Sequence, residues 1–417
     1  MPHPSYLTLL PVLGTMLLIR FASFGTYTSS LLSFKPLVGL GLISYGFYLW
    51  HFPFLAFARV HYTNLGNRRA GLLICASLVL SVITYFLIEK PARNKKLKYS
   101  KLLVILSLCL AALTSAGVYL YSSGGAPNRL PFSTKLFDSF EVSNLKEICG
   151  VKNEAELLEK KSFCKIGDPN SRPSFILIGD SHAHSLLNLL HNLGLKNSKA
   201  GLFKYASGCP PLFGVYPNRN DFQKKYCFDM NNQAFELTRV HRVQNIFLVA
   251  RWNYYTDGSS LQMLSNQSSP KSWSLNETRA VLSKQITYTL AEFIKTDTHP
   301  VILMQVPHQK GEPMRFYQEM FKELLNQSGK GSVAENLIKS KSVSLAEHNK
   351  RQELTSSIIY QASKKFGNKV TVLNPIPTLC DDEVCPFGSS QETFYNDPDH
   401  LSIGGADTLE SLFKDFF

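Results

Sequence analysis

The chain has 417 residues, 44% of them hydrophobic and 18% charged, with a formal net charge of +13. That length admits more than one domain, and the composition divides it: strongly apolar before about residue 120, and mixed like a soluble domain afterwards. The basic excess raises nucleic-acid binding, but no nucleic-acid motif is present and much of the excess flanks apolar segments, where it sets membrane orientation instead.

Four apolar segments are read in the first part, at about 4–19, 37–58, 70–88 and 102–121. Each has close to the ~20 residues needed to cross a ~30 Å hydrocarbon core. The first does not read as a signal peptide, because Met1-Pro2-His3-Pro4 carries no basic leader and no small-residue cleavage site follows. Within the second stands Ser44-Tyr45-Gly46-Phe47-Tyr48-Leu49-Trp50-His51-Phe52-Pro53. Tyr48 and Trp50 suit a membrane interface, and His51 in an apolar segment is either a functional group or a histidine hydrogen-bonded between helices. Residues 90–101 carry Lys90, Arg93, Lys95, Lys96, Lys98 and Lys101 and are expected on the cytoplasmic side. Arg20 and Lys35 agree, Arg68 and Arg69 weigh against, and the balance places everything after about Tyr121 on the far side.

Ser122-Ser123-Gly124-Gly125-Ala126-Pro127-Asn128-Arg129-Leu130-Pro131 is a linker composition, and residues 132–172 read as an irregular connection. A parallel sheet is then expected. Its first strand is Phe175-Ile176-Leu177-Ile178, an uninterrupted apolar run entering Gly179-Asp180-Ser181 and a helix. Further strands are expected at 199–205, 245–250, 301–306 and 370–373, separated by helical patterns near 275–296 and 342–366. Alternation of this kind implies helices on both faces of the sheet.

Ser181 at a strand-to-helix turn projects beyond the carboxyl end of the sheet, where α/β folds bind ligands. Alone, Asp180-Ser181 could equally be a helix cap. Near the C-terminus, Tyr395-Asn396-Asp397-Pro398-Asp399-His400-Leu401-Ser402 precedes a final amphipathic helix. Asp397 can orient His400, and a serine with a base held by a third group is the constellation of nucleophilic catalysis. With Asp397 as the orienter, Asp399 is expected to face elsewhere. No partner is evident for His182, His184 or His308, which read as solvated or capping.

Six cysteines, Cys149, Cys164, Cys209, Cys227, Cys380 and Cys385, fall in the part placed outside. Sequence proximity suggests pairs 149–164, 209–227 and 380–385, while a zinc site lacks a CxxC pair. Cys75 and Cys109 in the membrane segments read as packing residues. No metal site is expected.

Gly179-Asp180-Ser181-His182 with Asp397-Pro398-Asp399-His400-Leu401-Ser402 resembles the SGNH hydrolase family, in the variant attached to membrane acyltransferases of the acyltransferase-3 family. The run 44–53 and Phe86-Leu87-Ile88-Glu89-Lys90-Pro91-Ala92-Arg93 resemble the last membrane helices of that second family. The resemblance implies about four transmembrane helices over 1–121, a linker and connecting region over 122–172, and an α/β SGNH-type three-layer domain over 173–417. It implies transfer of an acyl group, usually acetyl, to a bacterial cell-envelope glycan such as lipopolysaccharide O-antigen or peptidoglycan. Ser181, His400 and Asp397 would be catalytic, and Gly208 and Asn253 would serve as oxyanion donors. A carbohydrate esterase and a non-catalytic remnant are the competing readings. The protein would sit in the inner membrane as a multi-pass chain with its C-terminal domain periplasmic. No cofactor is implied. The early helices that handle the acyl donor, for instance acetyl-CoA, have no counterpart before Ser44, so the chain is expected to be truncated or to act with a separate chain supplying them.

Overall fold

The computed structural model describes residues 8–23, 25–61, 65–93, 99–123, 136, 139–160, 162–258, 263–325 and 330–417. They form two compact units, 1–125 and 126–417. Residues 4–7 of the first apolar segment, 94–98 of the basic loop and 124–131 of the linker lie outside the described residues.

In the first unit, α1 (Leu9–Phe21), α2 (Lys35–His61), α3 (Gly66–Thr84) and α4 (Tyr99–Ser122) follow the four apolar segments. A π-helical turn, Tyr85–Glu89, and a final turn, Lys90–Ala92, extend α3. Among the described residues, three helices are long and apolar enough to cross a membrane: 35–59, 66–92 and 103–122. The described part of the first apolar segment, α1, has 13 residues and at 1.5 Å per residue spans about 20 Å. Helices α2 and α3 pack as a pair, with Gly46 against Ser81 and the Trp50 indole donating to Thr84 Oγ1 at 3.0 Å. His51 Nδ1 lies 3.0 Å from the Phe47 carbonyl one turn back in the same helix, and its ring stacks on Phe47.

The second unit is built on a six-stranded sheet: β1 (Cys164–Gly167), β2 (Pro173–Gly179), β3 (Ala200–Tyr205), β4 (Asn245–Val249), β5 (His299–Leu303) and β6 (Thr371–Leu373). The spatial order is β1-β3-β2-β4-β5-β6, with β1 antiparallel and the other pairings parallel. Alternate side chains serve opposite faces. Phe175, Leu177, Phe203, Phe247 and Val301 join the helix Leu187–Lys196 and the C-terminal Leu409 and Phe413. Ile176, Ile178, Leu202, Ile246 and Ile302 meet two 21-residue helices, α5 (Asp221–His241) and α6 (Leu275–Lys295). Two separately filled cores explain why the strands read as continuous apolar runs. The expected C-terminal amphipathic helix is instead broken into Ile403–Asp407, Glu410–Phe413 and a 3-10 turn.

The stretch read as irregular carries structure. A helix, Leu145–Cys149, and β1 are joined by the Cys149–Cys164 disulfide. Cys209–Cys227 ties the turn after β3 to α5, and Cys380–Cys385 closes a short loop. All three pairs are those of sequence proximity, and Cys75 and Cys109 are unpaired.

Candidate active site

The sheet order reverses between β2 and β4, the switch point where open α/β sheets hold ligands beyond their carboxyl ends. Gly179 ends β2 so close to β4 that a Cβ there would lie 1.7 Å from the Val249 carbonyl oxygen. Only glycine allows that approach. Asp180 follows as the cap of the short helix Ser181–Ser185, accepting from the His182 N–H at 2.9 Å. It does more than cap. Its other oxygen accepts the Arg251 N–H at 2.9 Å and the Tyr255 hydroxyl at 3.1 Å, binding the ends of β2 and β4 together. Burial works to raise the Asp180 pKa, but hydrogen bonds and charge from His182, with the Arg251 N–H, hold it below the ordinary carboxylate value.

Ser181 Oγ lies 2.7 Å from His400 Nε2. His400 Nδ1 lies 2.7 Å from Asp397 Oδ2. Asp397 Oδ1 accepts the N–H groups of Asp399 and His400 at 2.9 and 2.8 Å, which fixes the turn carrying all three residues. Burial works against charge on both partners, but the pairing wins. Hydrogen bonds and the His400 charge hold the Asp397 carboxyl well below its usual range. Asp397, with the charges of Asp399 and Asp180, raises the His400 pKa above 6.5 despite desolvation. The arrangement can move a proton from the serine hydroxyl to the imidazole while a carboxylate balances the charge formed.

Asp399 does not face away. Its Oδ1 is 3.6 Å from His400 Nδ1, and its Oδ2 forms an ion pair with Arg251 Nη1 at 2.5 Å. Arg251 also donates to His308 Nδ1 at 3.3 Å and lies over the Tyr254 ring, 4.8 Å from its centroid. His308 thus has partners, and its pKa is lowered by burial and by Arg251 against the pull of Asp399. Asp397, Asp399 and His400 could each offer one atom to a cation. Arg251 already neutralises Asp399, and Asp397 is committed to His400, so the set is poorly suited to a metal.

His182 and His184 are buried or half-buried rather than solvated. The His182 ring sits 4.8 Å from that of His400, with Nδ1 3.6 Å from Asp180. His184 stacks on Tyr205 at 4.5 Å and hydrogen-bonds Ser143, and burial beside His400 pushes its pKa down to about 4. Gly208 lies in the turn after β3 with φ of +71°, a turn tied to β2 where the Ala206 N–H donates to the Gly179 carbonyl at 3.1 Å. Asn253 lies in the 3-10 turn after β4, 1% exposed, with its N–H given to Gln305 and neither amide atom of its side chain hydrogen-bonded among the described residues.

Ser139, Phe140 and Glu141 brace the His400 loop, a role that sequence reasoning missed. The Thr393 N–H donates to Ser139 Oγ at 3.0 Å, the Ile403 N–H to the Glu141 carbonyl at 2.7 Å, and the Asn396 amide to the Phe140 carbonyl. No periodic pattern marks this segment, so backbone pairing of this kind leaves no signal to find. For Asp399 and Arg251, the available signal was that a buried charge needs a partner.

Among known proteins, a family model described as the SGNH domain (fused to AT3 domains) matches residues 148–415. The peptidoglycan O-acetyltransferase OatA of Listeria monocytogenes is 32% identical over 85 residues, 20% of this chain and 14% of that protein. The chain therefore corresponds to a small part of that relative's length. Among solved structures, the periplasmic domain of a Salmonella ser. Paratyphi A lipopolysaccharide acetyltransferase covers 67% of this chain and 98% of its own, at 12% identity and a TM-score of 0.43. A GDSL-like lipase from Bacteroides thetaiotaomicron covers 58% of this chain and 86% of its own, at 12% identity and a TM-score of 0.31.

Proposed function

This chain belongs to the family of SGNH domains found fused to AT3 domains, and from that premise we propose that it transfers an O-acyl group, acetyl in the first instance, to a hydroxyl of a bacterial cell-envelope glycan. The observation that carries the reading is the continuous contact from Asp397 through His400 to Ser181, 2.7 Å at each step. Ser181 Oγ attacks the acyl carbonyl while His400 Nε2 takes its proton, and Asp397 holds the imidazolium so formed. The N–H groups of Ser181 and Gly208, with Asn253, serve the oxyanion of the tetrahedral intermediate. His400 then protonates the leaving group, and the acyl group stays on Ser181 as an ester. In the second half His400 deprotonates a sugar hydroxyl, which attacks that ester and regenerates free Ser181.

The three long apolar helices and the basic loop support a multi-pass position in the inner membrane with the SGNH domain in the periplasm. Three disulfides support the same oxidising side. The acyl donor, acetyl-CoA for instance, is then handled by acyltransferase-3 helices of a separate chain. Water in place of the sugar hydroxyl would make the same site an esterase. The test is purified full chain in detergent with a small activated acetyl ester and a glycan acceptor, following acetyl on glycan against free acetate. Acetyl-glycan rising with acceptor concentration supports transfer. Free acetate alone, whatever the acceptor concentration, would leave only the esterase.

A further inference from the structure

Two carboxylates stand beside the base, and only one of them can orient it. His400 Nδ1 has a single N–H to give; Asp397 Oδ2 lies 2.7 Å from it and Asp399 Oδ1 lies 3.6 Å from it. The second distance is too long for a hydrogen bond, but a small shift of either side chain would close it. Both aspartates belong to the same short turn, Asp397-Pro398-Asp399-His400, so their positions in the chain do not decide between them. Asp397 is turned toward the ring by the two N–H groups on its Oδ1. Asp399 is held from the other side, by a residue of a different element.

That residue is Arg251. Its backbone N–H is fixed on Asp180 at the end of β2. Its guanidinium places Nη1 2.5 Å from Asp399 Oδ2 and gives Nη2 to His308 Nδ1 at 3.3 Å. A guanidinium only donates, so His308 Nδ1 carries no proton and the ring is neutral, with its proton on Nε2. The Gln309 N–H donates to the Pro398 carbonyl at 2.7 Å, which keeps the His308 segment against the turn that carries Asp399. Arg251 therefore bridges two segments that are already held together. The Asp399 side chain is 8% exposed. Without the guanidinium its charge would have little water to turn to, and the His400 ring would be in reach. The other titratable groups around that ring are Asp180, His182 and His184.

We propose that Arg251 is a positioning residue for acyl transfer: by holding Asp399 it leaves the His400 Nδ1–H to Asp397, which keeps Nε2 directed at Ser181. The proposal rests on the reading of Ser181, His400 and Asp397 as the catalytic set, and it adds what selects the orienting carboxylate. Released from Arg251, Asp399 draws Nδ1–H to its own oxygen. The ring then turns, and Nε2 leaves the serine hydroxyl.

The test uses the full chain in detergent with a small activated acetyl ester. It compares the parent with Arg251→Met, and with Arg251→Met combined with Asp399→Asn, each well below its Tm. Methionine keeps the backbone N–H on Asp180 and much of the side-chain volume but removes the charge. Arg251→Met should lower kcat at least tenfold with little change in KM. It should also move the pH limb of kcat upward, because the carboxylate beside His400 has lost its countercharge. The double variant should regain most of kcat and lose that shift, since no rival carboxylate remains. A merely structural Arg251 would leave the double variant no faster than Arg251→Met. That result, or an unchanged kcat in Arg251→Met, overturns the proposal. The low-field proton resonance of the His400 Nδ1–H reads the orienting carboxylate without turnover. In the parent it should be lost with Asp397→Asn, and in Arg251→Met it should survive that substitution. A resonance that follows this pattern in a chain that turns over no ester supports the positioning role and removes the enzyme reading instead. A resonance lost with Asp397→Asn in both backgrounds overturns the role.

Discussion

His400 sets the pH dependence of the reaction. The imidazole must be neutral to take the Ser181 proton, and its pKa is raised above 6.5 by Asp397, Asp399 and Asp180 against the effect of burial. Turnover should therefore rise with pH along a limb centred above 6.5. Asp399→Asn removes one of the raising charges, so the limb should move to lower pH, as a pH–rate profile would report. The same substitution leaves the Arg251 guanidinium without its carboxylate. That should cost about 2 kcal/mol in denaturant unfolding, less than a fully buried pair because a quarter of the Arg251 side chain meets solvent. Asp397→Asn instead disturbs the tautomer of His400 and should lower the rate by up to ~10⁴-fold with the fold intact. An Asp399→Asn variant slower than Asp397→Asn would reverse the two assignments. The serine, the histidine and its orienting aspartate were legible in the sequence, because their order and spacing follow from the chemistry. The closeness of Asp399 was not. Which way each aspartate of Asp397-Pro398-Asp399-His400 points depends on Arg251, which is 148 positions earlier, and on the two N–H donors that turn Asp397.

The elements were legible to the degree that they are buried. Strands β2 to β5 are apolar on both faces and so stand out, whereas Cys164–Gly167 buries only Ile166 and Gly167 and lies at the antiparallel edge, giving no run to read. The break in the C-terminal helix was equally invisible, since its apolar spacing continues through Leu409 and Phe413. Two tests belong to this scale. Gly179→Ala would force β2 from β4 at the point where Asp180 joins them, so it should abolish turnover and lower stability by at least about 3 kcal/mol, read by thermal unfolding. An alanine variant as stable as the parent would mean the two strands are not held that closely. Replacing Cys209 and Cys227 with alanine reopens an 18-residue loop, and should cost about 3 kcal/mol by loop-closure entropy.

For the molecule as a whole, the two compact units divide the labour proposed here between a membrane part and a domain carrying the site. A reporter fused after Phe417 should be active only in the oxidising compartment, and a cytoplasmic signal would reverse the proposed orientation. The central claim, an acyl group carried on Ser181 and passed to a sugar, is tested most directly by mass spectrometry of the full chain after exposure to an activated acetyl ester. The account predicts one acetyl adduct on the peptide containing Ser181, absent in Ser181→Ala, and discharged onto added glycan as acetylated sugar. An adduct on another residue, no adduct at all, or discharge to free acetate alone in the presence of glycan would contradict it.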